Sequence, residues 1–116
     1  MKEDDLKSAV TDALEWNGWR WQHQRPAMKK DGSWMTPIEG HKGWPDIVAV
    51  KDGRMILAEL KGSSGRCSPD QLVWLTMLAE VSGVETYLIG PSELADFLEV
   101  ITGRSDGKEI RWVGRK

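Results

Sequence analysis

The chain has 116 residues, 40% hydrophobic and 29% charged, with a formal charge of −2. That is enough for one domain spanning 1–116 and too little for a second core. The charge excludes a uniformly basic surface, and the single cysteine, Cys67, excludes an internal disulfide or a multi-cysteine zinc site.

The opening MKEDDLKSAV lacks the apolar run of a signal peptide, and no stretch approaches the ~20 apolar residues of a membrane helix. A reducing, cytoplasmic setting without a membrane partner is expected.

Residues 3–17 predict an amphipathic helix, with Leu6, Ala9, Val10, Ala13 and Leu14 on one face and Asn17-Gly18 ending it. WRWQHQ (19–24) alternates large and polar side chains like a half-buried strand, which Pro26 stops. Residues 26–45 hold three prolines and three glycines and read as a long loop, the kind of connection that is usually functional or mobile.

DIVAV (46–50) is a continuous apolar run, read as a buried strand, and MILAELK (55–61) returns as its partner across the Asp52-Gly53 turn. Ser68-Pro69-Asp70-Gln71 opens a second helix: Ser is a good N-cap, Pro suits the first helical position, and Gln71 completes a capping box. Its buried face is expected from Leu72, Leu75, Leu78 and Ala79, with Ser82-Gly83 closing it. ETYLIG (85–90) predicts a strand, Pro91 to Ile101 a third helix, and Arg111 to Val113 a last short strand. The fold class expected is α/β, a mixed central sheet flanked by helices.

Chemistry concentrates at the ends of the paired strands. Asp46 opens one, and Glu59-Leu60-Lys61 ends the next. Because strand side chains alternate, Glu59 and Lys61 project to one face and Leu60 to the other. The hairpin sets Asp46 near Glu59, to within a pleat. Two adjacent carboxylates repel unless a cation lies between them, so the pair forms a natural Mg²⁺ site, with Mn²⁺ as a substitute. A divalent cation beside an ammonium suits phosphodiester hydrolysis and needs no His, Ser or Cys nucleophile. The competing reading is a strand-opening Asp46 with a surface ion pair of Glu59 and Lys61. A carboxylate after the apolar MILA run counts against it.

Pro45-Asp46 and Glu59-Leu60-Lys61 resemble the two elements of the PD-(D/E)XK nuclease superfamily. With GWPDI, AELKG, SPDQLVWL and GPSEL, the chain resembles the virus-type replication-repair nuclease (VRR-NUC) family from the first helix to about residue 100. The resemblance implies a Mg²⁺- or Mn²⁺-dependent endonuclease without an organic cofactor. It also implies branched DNA, such as a Holliday junction, as substrate and a homodimer presenting two sites.

By the same resemblance, Asp46, Glu59 and the Leu60 carbonyl would hold the metal, Lys61 would be the catalytic lysine, and Gln71 would stand near the site. The capping box alone also explains Gln71. An acid of the first helix commonly joins the metal, and Glu3 fits best, beside Asp4 and Asp5; as helix-opening acids, all three also suit the macrodipole.

Candidate DNA contacts are Lys30, His41, Lys42, Trp44 and Arg66. Basic residues also gather as Lys29 with Lys30, and as Arg104, Lys108, Arg111, Arg115 and Lys116 near the end, where a solvated surface is the plain reading. Trp is abundant, seven against one Phe and one Tyr, and this decides which rings to follow. Trp74 is expected in the core. Trp34 and Trp44 are candidates to stack on an unpaired base, against plain packing under a loop. Cys67 is expected to have no role. Alternatives from other classes are an inactive DNA-binding module with the same fold and a nuclease acting on RNA, flaps or linear DNA.

Overall fold

A computed structural model describes residues 1–24, 27–28, 30–35 and 38–113. Its elements run α1 (Glu3–Trp16), β1 (Arg20–His23), β2 (Ala27–Met28), β3 (Trp34–Met35), β4 (Ile47–Lys51), β5 (Arg54–Leu60), α2 (Pro69–Ala79) and β6 (Val84–Ile89), then a 3₁₀ turn (Pro91–Glu93) leading into α3 (Leu94–Ile101).

The main sheet has the order β1-β4-β5-β6. β1 and β4 pair antiparallel, as do β4 and β5, while β5 and β6 run parallel. The mixture follows from the connections. Asp52 and Gly53 both take positive φ, 50° and 79°, the two-residue geometry that matches strand twist in a tight hairpin. Parallel β5 and β6 need a crossover, which α2 provides.

Alternation sorts the side chains between two faces. Leu6, Val10 and Leu14 of α1 and Phe97, Val100 and Ile101 of α3 form one core with Ile47, Ala49, Ile56, Ala58, Leu60, Tyr87 and Ile89 of the sheet. Leu57 and Glu59 point to the opposite face, where Gln71 of α2 reaches Glu59. Trp19 seals the first core, its indole N–H donating to the Ile101 carbonyl at 2.8 Å.

Three expectations are corrected. The 26–45 segment is not all loop: β2 and β3 pair, Ala27 with Met35 and Met28 with Trp34. The cause is an Asp31-Gly32 turn, in which the Asp31 carboxylate accepts from the Ser33 backbone N–H at 2.9 Å and Gly32 takes φ +87°. Second, α2 ends at Ala79, and of its expected buried face only Leu75 is fully enclosed. Third, the expected last strand is one bridge, Tyr87 to Arg111. Arg111 is drawn to Glu85, which also takes two 2.7 Å bonds from Arg54 and one of 2.6 Å from the Tyr87 hydroxyl. Among the described residues, no helix is long and apolar enough to cross a membrane.

Candidate metal centre

The β4–β5 register pairs Ile47 with Ala58, so one step further along the strands Asp46 stands opposite Glu59. Its carboxylate is fixed there: Oδ2 accepts from the Leu60 backbone N–H at 2.8 Å. Its own carbonyl accepts from Gln24, tying the residue to the strand on its other side.

Glu59 is 1% exposed. Oε2 receives the Gln71 side-chain amide at 2.9 Å and the Lys61 ammonium at 3.1 Å. Oε1 is buried and makes no hydrogen bond. Burial, followed by the neighbouring Asp46 charge, pushes the Glu59 carboxyl up to about 8 from its ordinary 4.5, against the opposing pull of Lys61. Lys61 stays charged. Burial works against its ammonium, but Glu59, Asp46 and Glu3 outweigh it and hold its pKa above the ordinary value.

Gln71 makes the capping box and also reaches Glu59. Its Oε1 accepts from the Ser68 N–H in the capping box, and its Nε2 is left to donate to Glu59. The helix cap thus aims an amide at the carboxylate.

The arrangement passes a test for a cation. A buried carboxylate oxygen without a donor, next to a second carboxylate, requires either a proton or a positive ion. Asp46 and Glu59 supply two hard oxygen ligands suited to Mg²⁺ or Mn²⁺. Leu60, whose carbonyl is the further expected ligand, directly follows Glu59 at the end of β5.

Among the described residues, no three His, Cys, Asp or Glu side chains gather in a metal-holding group. The Glu3 backbone rests on Gly62, where an added Cβ would stand 2.7 Å from its N atom. This contact brings the acidic start of α1 toward the centre, where the Glu3 charge acts on Lys61.

The expected DNA contacts separate. His41 and Lys42 are exposed, but their carbonyls accept the Trp74 indole N–H at 3.3 and 3.0 Å, and the Lys42 ammonium lies 3.6 Å from Asp70. Trp44, half-buried, makes a T-shaped contact with Trp74, ring centroids 4.9 Å apart, so packing engages part of its surface. Trp74 is correspondingly only half-buried, at the seam of loop and α2, not in the core. Lys30 is exposed on the β2–β3 turn, and no contact among the described residues joins it to the centre. Arg66 borders the same cleft as Lys61. Lys29, the ring of Trp34, Arg115 and Lys116 lie outside the described residues.

Two residues escaped the sequence reading. Cys67, expected to be idle, sits close enough to the centre that burial and then the Glu59 charge raise its thiol pKa. Gly43 has φ +103°, and an added Cβ would meet the Asp70 carbonyl carbon at 2.6 Å and the Gln71 N at 2.9 Å. Its bare backbone lets the loop carrying Pro45-Asp46 lie on the start of α2. The glycine in GWPD was a possible signal, because close approach and positive φ both select glycine. Gly43→Ala is expected to cost about 1–3 kcal/mol from the strained φ and the clash together, measured as a lowered midpoint of urea unfolding.

No protein-family model matches the chain, and no curated protein is similar to it.

Proposed function

We propose that this chain is a Mg²⁺- or Mn²⁺-dependent endonuclease with a PD-(D/E)XK-type fold, a VRR-NUC-like enzyme acting on branched DNA as a homodimer. The observation carrying this reading is the Glu59 carboxylate, buried with one oxygen unsatisfied, opposite Asp46 and 3.1 Å from the Lys61 ammonium. A structural ion pair would satisfy both oxygens; this one leaves the oxygen a cation would use.

In the proposed reaction, Asp46 and Glu59 would hold the divalent ion, with the Leu60 carbonyl as a further ligand. When bound, the ion would neutralise charge on the scissile phosphate and make a water easier to deprotonate. Lys61, charged, holds the attacking water by hydrogen bonding and faces the negative charge that builds on the phosphate oxygens. It is not the base, because a lysine with a raised pKa keeps its proton at neutral pH. Gln71 holds Glu59 Oε2, so Oε1 is the oxygen left to take up an ion. The nucleophile needs no covalent enzyme intermediate.

Support for the homodimer is an exposed apolar stripe of Val73, Met77 and Val81, spaced four apart along α2 and just beyond it. The ion pair of Lys42 and Asp70 at its rim offers both charge signs to an identical surface.

The test is cleavage of labelled four-way junction, flap and linear duplex DNA with Mg²⁺, Mn²⁺ or EDTA, with mass by light scattering on the same sample. Paired cuts in the junction, lost in EDTA, are the expected result. Cutting of other substrates would keep the nuclease and discard the junction. Tight DNA binding with no cutting would replace the enzyme by a binding module.

A further inference from the structure

Beside the carboxylates lies a cleft of about 440 Å³, within the size range of small-molecule sites. It opens between the turn after β5 and the turn after β6, at the carboxyl ends of the two parallel strands. That is where ligands collect on α/β sheets.

Its lining is of two kinds. Lys61 forms one wall, its stem lying along Gly65, and Arg66 stands beside it. Arg66 is exposed and makes no ion pair among the described residues. Leu72 of α2, Leu88 of β6 and Pro91 give an apolar floor. The one carboxylate on the lining, Glu93, accepts from the Gly90 N–H at 2.8 Å, and Lys61 is paired with Glu59, which leaves Arg66 as the lining cation for a phosphate. Lys61 belongs to both centre and cleft, so a ligand in the cleft lies next to whatever occupies the centre.

We propose that this cleft is a nucleotide subsite, taking the nucleotide adjacent to the scissile phosphate with its base unstacked on Leu72, Leu88 and Pro91 and its phosphate against Arg66. The inference rests on the nuclease reading and gives it a basis for choosing substrates. A base in a continuous duplex is covered on both faces and cannot enter an apolar floor without costly unstacking. A base at a branch or frayed end is already partly free. The subsite therefore favours branched DNA by the ease of exposing one base, without reading its identity.

Cys67 is the only cysteine of the chain and lines this cleft, so its alkylation reports occupancy without any cleavage. The experiment measures the rate of Cys67 labelling by iodoacetamide on the native protein in EDTA, with dAMP, deoxyadenosine or inorganic phosphate titrated in. The expected result is that dAMP slows labelling more effectively than either fragment. Arg66→Ala should raise the dAMP concentration needed by roughly tenfold or more, the effect of losing a charge-assisted phosphate contact. In the cleavage assay, an abasic site at one position flanking the cut should lower kcat/KM by roughly tenfold, as losing one base contact does.

Equal labelling rates with and without dAMP, in protein whose circular dichroism is unchanged, would overturn the subsite. So would full protection by phosphate alone, or dAMP protection untouched by Arg66→Ala. Cleavage without protection would remove the subsite and leave the nuclease; protection without cleavage would do the reverse.

Discussion

Replacing Lys61 by alanine is expected to lower the DNA cleavage rate by at least about 10²–10³-fold, the usual cost of removing one preorganised group facing transition-state charge. The side chain is 19% exposed and its ammonium lies 3.1 Å from Glu59 Oε2, so no mobile surface lysine can take its place. Loss of the ammonium acts twice. It removes the group that holds water and faces the phosphate, and it removes the charge that counters the upward push on the Glu59 pKa. Without Lys61, Glu59 holds its proton more tightly and takes up a divalent ion less readily at neutral pH. The fold should survive, because a protonated Glu59 needs no counter-charge and the main core lies on the other face of the sheet. Single-turnover cleavage at saturating Mg²⁺, beside a thermal melt, checks both parts. Activity within tenfold of the parent would remove Lys61 from the mechanism.

The centre was legible because its geometry rests on local rules. Alternation along β5 puts Glu59 and Lys61 on one face and Leu60 in the core, and the Asp52-Gly53 hairpin brings Asp46 opposite Glu59. Ser68 and Gln71 announced the cap three residues apart, though not that the amide nitrogen would be spared for Glu59. What escaped depends on contacts between distant segments. The fold of 41–44 onto α2 is set by the missing Cβ of Gly43 and by Trp74 donating to loop carbonyls. Neither leaves a periodic trace, so Trp44 looked available and Trp74 looked buried. Glu3 was placed by analogy, and its approach to Lys61 comes through the distant contact at Gly62, which the sequence pattern does not show. The β2–β3 pair was hidden because two-residue strands are too short for alternation to register.

Glu59→Gln is expected to remove a pH dependence from the protein's stability. In EDTA the folded protein binds a proton at Glu59 with a pKa of about 8, against 4.5 for an ordinary glutamate. Folding therefore favours the neutral acid. The associated stability is fully present below 4.5 and is lost as pH rises to about 8, beyond which the loss is complete. Glutamine is neutral at every pH in this range. Its oxygen can take the place of Oε2 in accepting from Gln71 and Lys61, and its amide N–H₂ can face Asp46 as the protonated acid does. The parent's melting temperature should fall across this window and the variant's should not, leaving the variant higher by at least about 5 °C at the alkaline end. Mg²⁺ should raise the parent there, because the ion takes the proton's place between two carboxylates, and should do little for a variant with one carboxylate left. Below the folded pKa each ion bound releases a proton, so the parent's apparent Mg²⁺ affinity should climb by up to about tenfold per pH unit. Melting curves of both proteins from acid to mildly alkaline pH, with EDTA or Mg²⁺, separate this from titration elsewhere, because only the difference between parent and variant belongs to residue 59. Parallel curves for the two proteins in EDTA would mean that Glu59 is already ionised without a cation, and the pairing of buried Glu59 with half-buried Asp46 would lose its claim to be a metal centre.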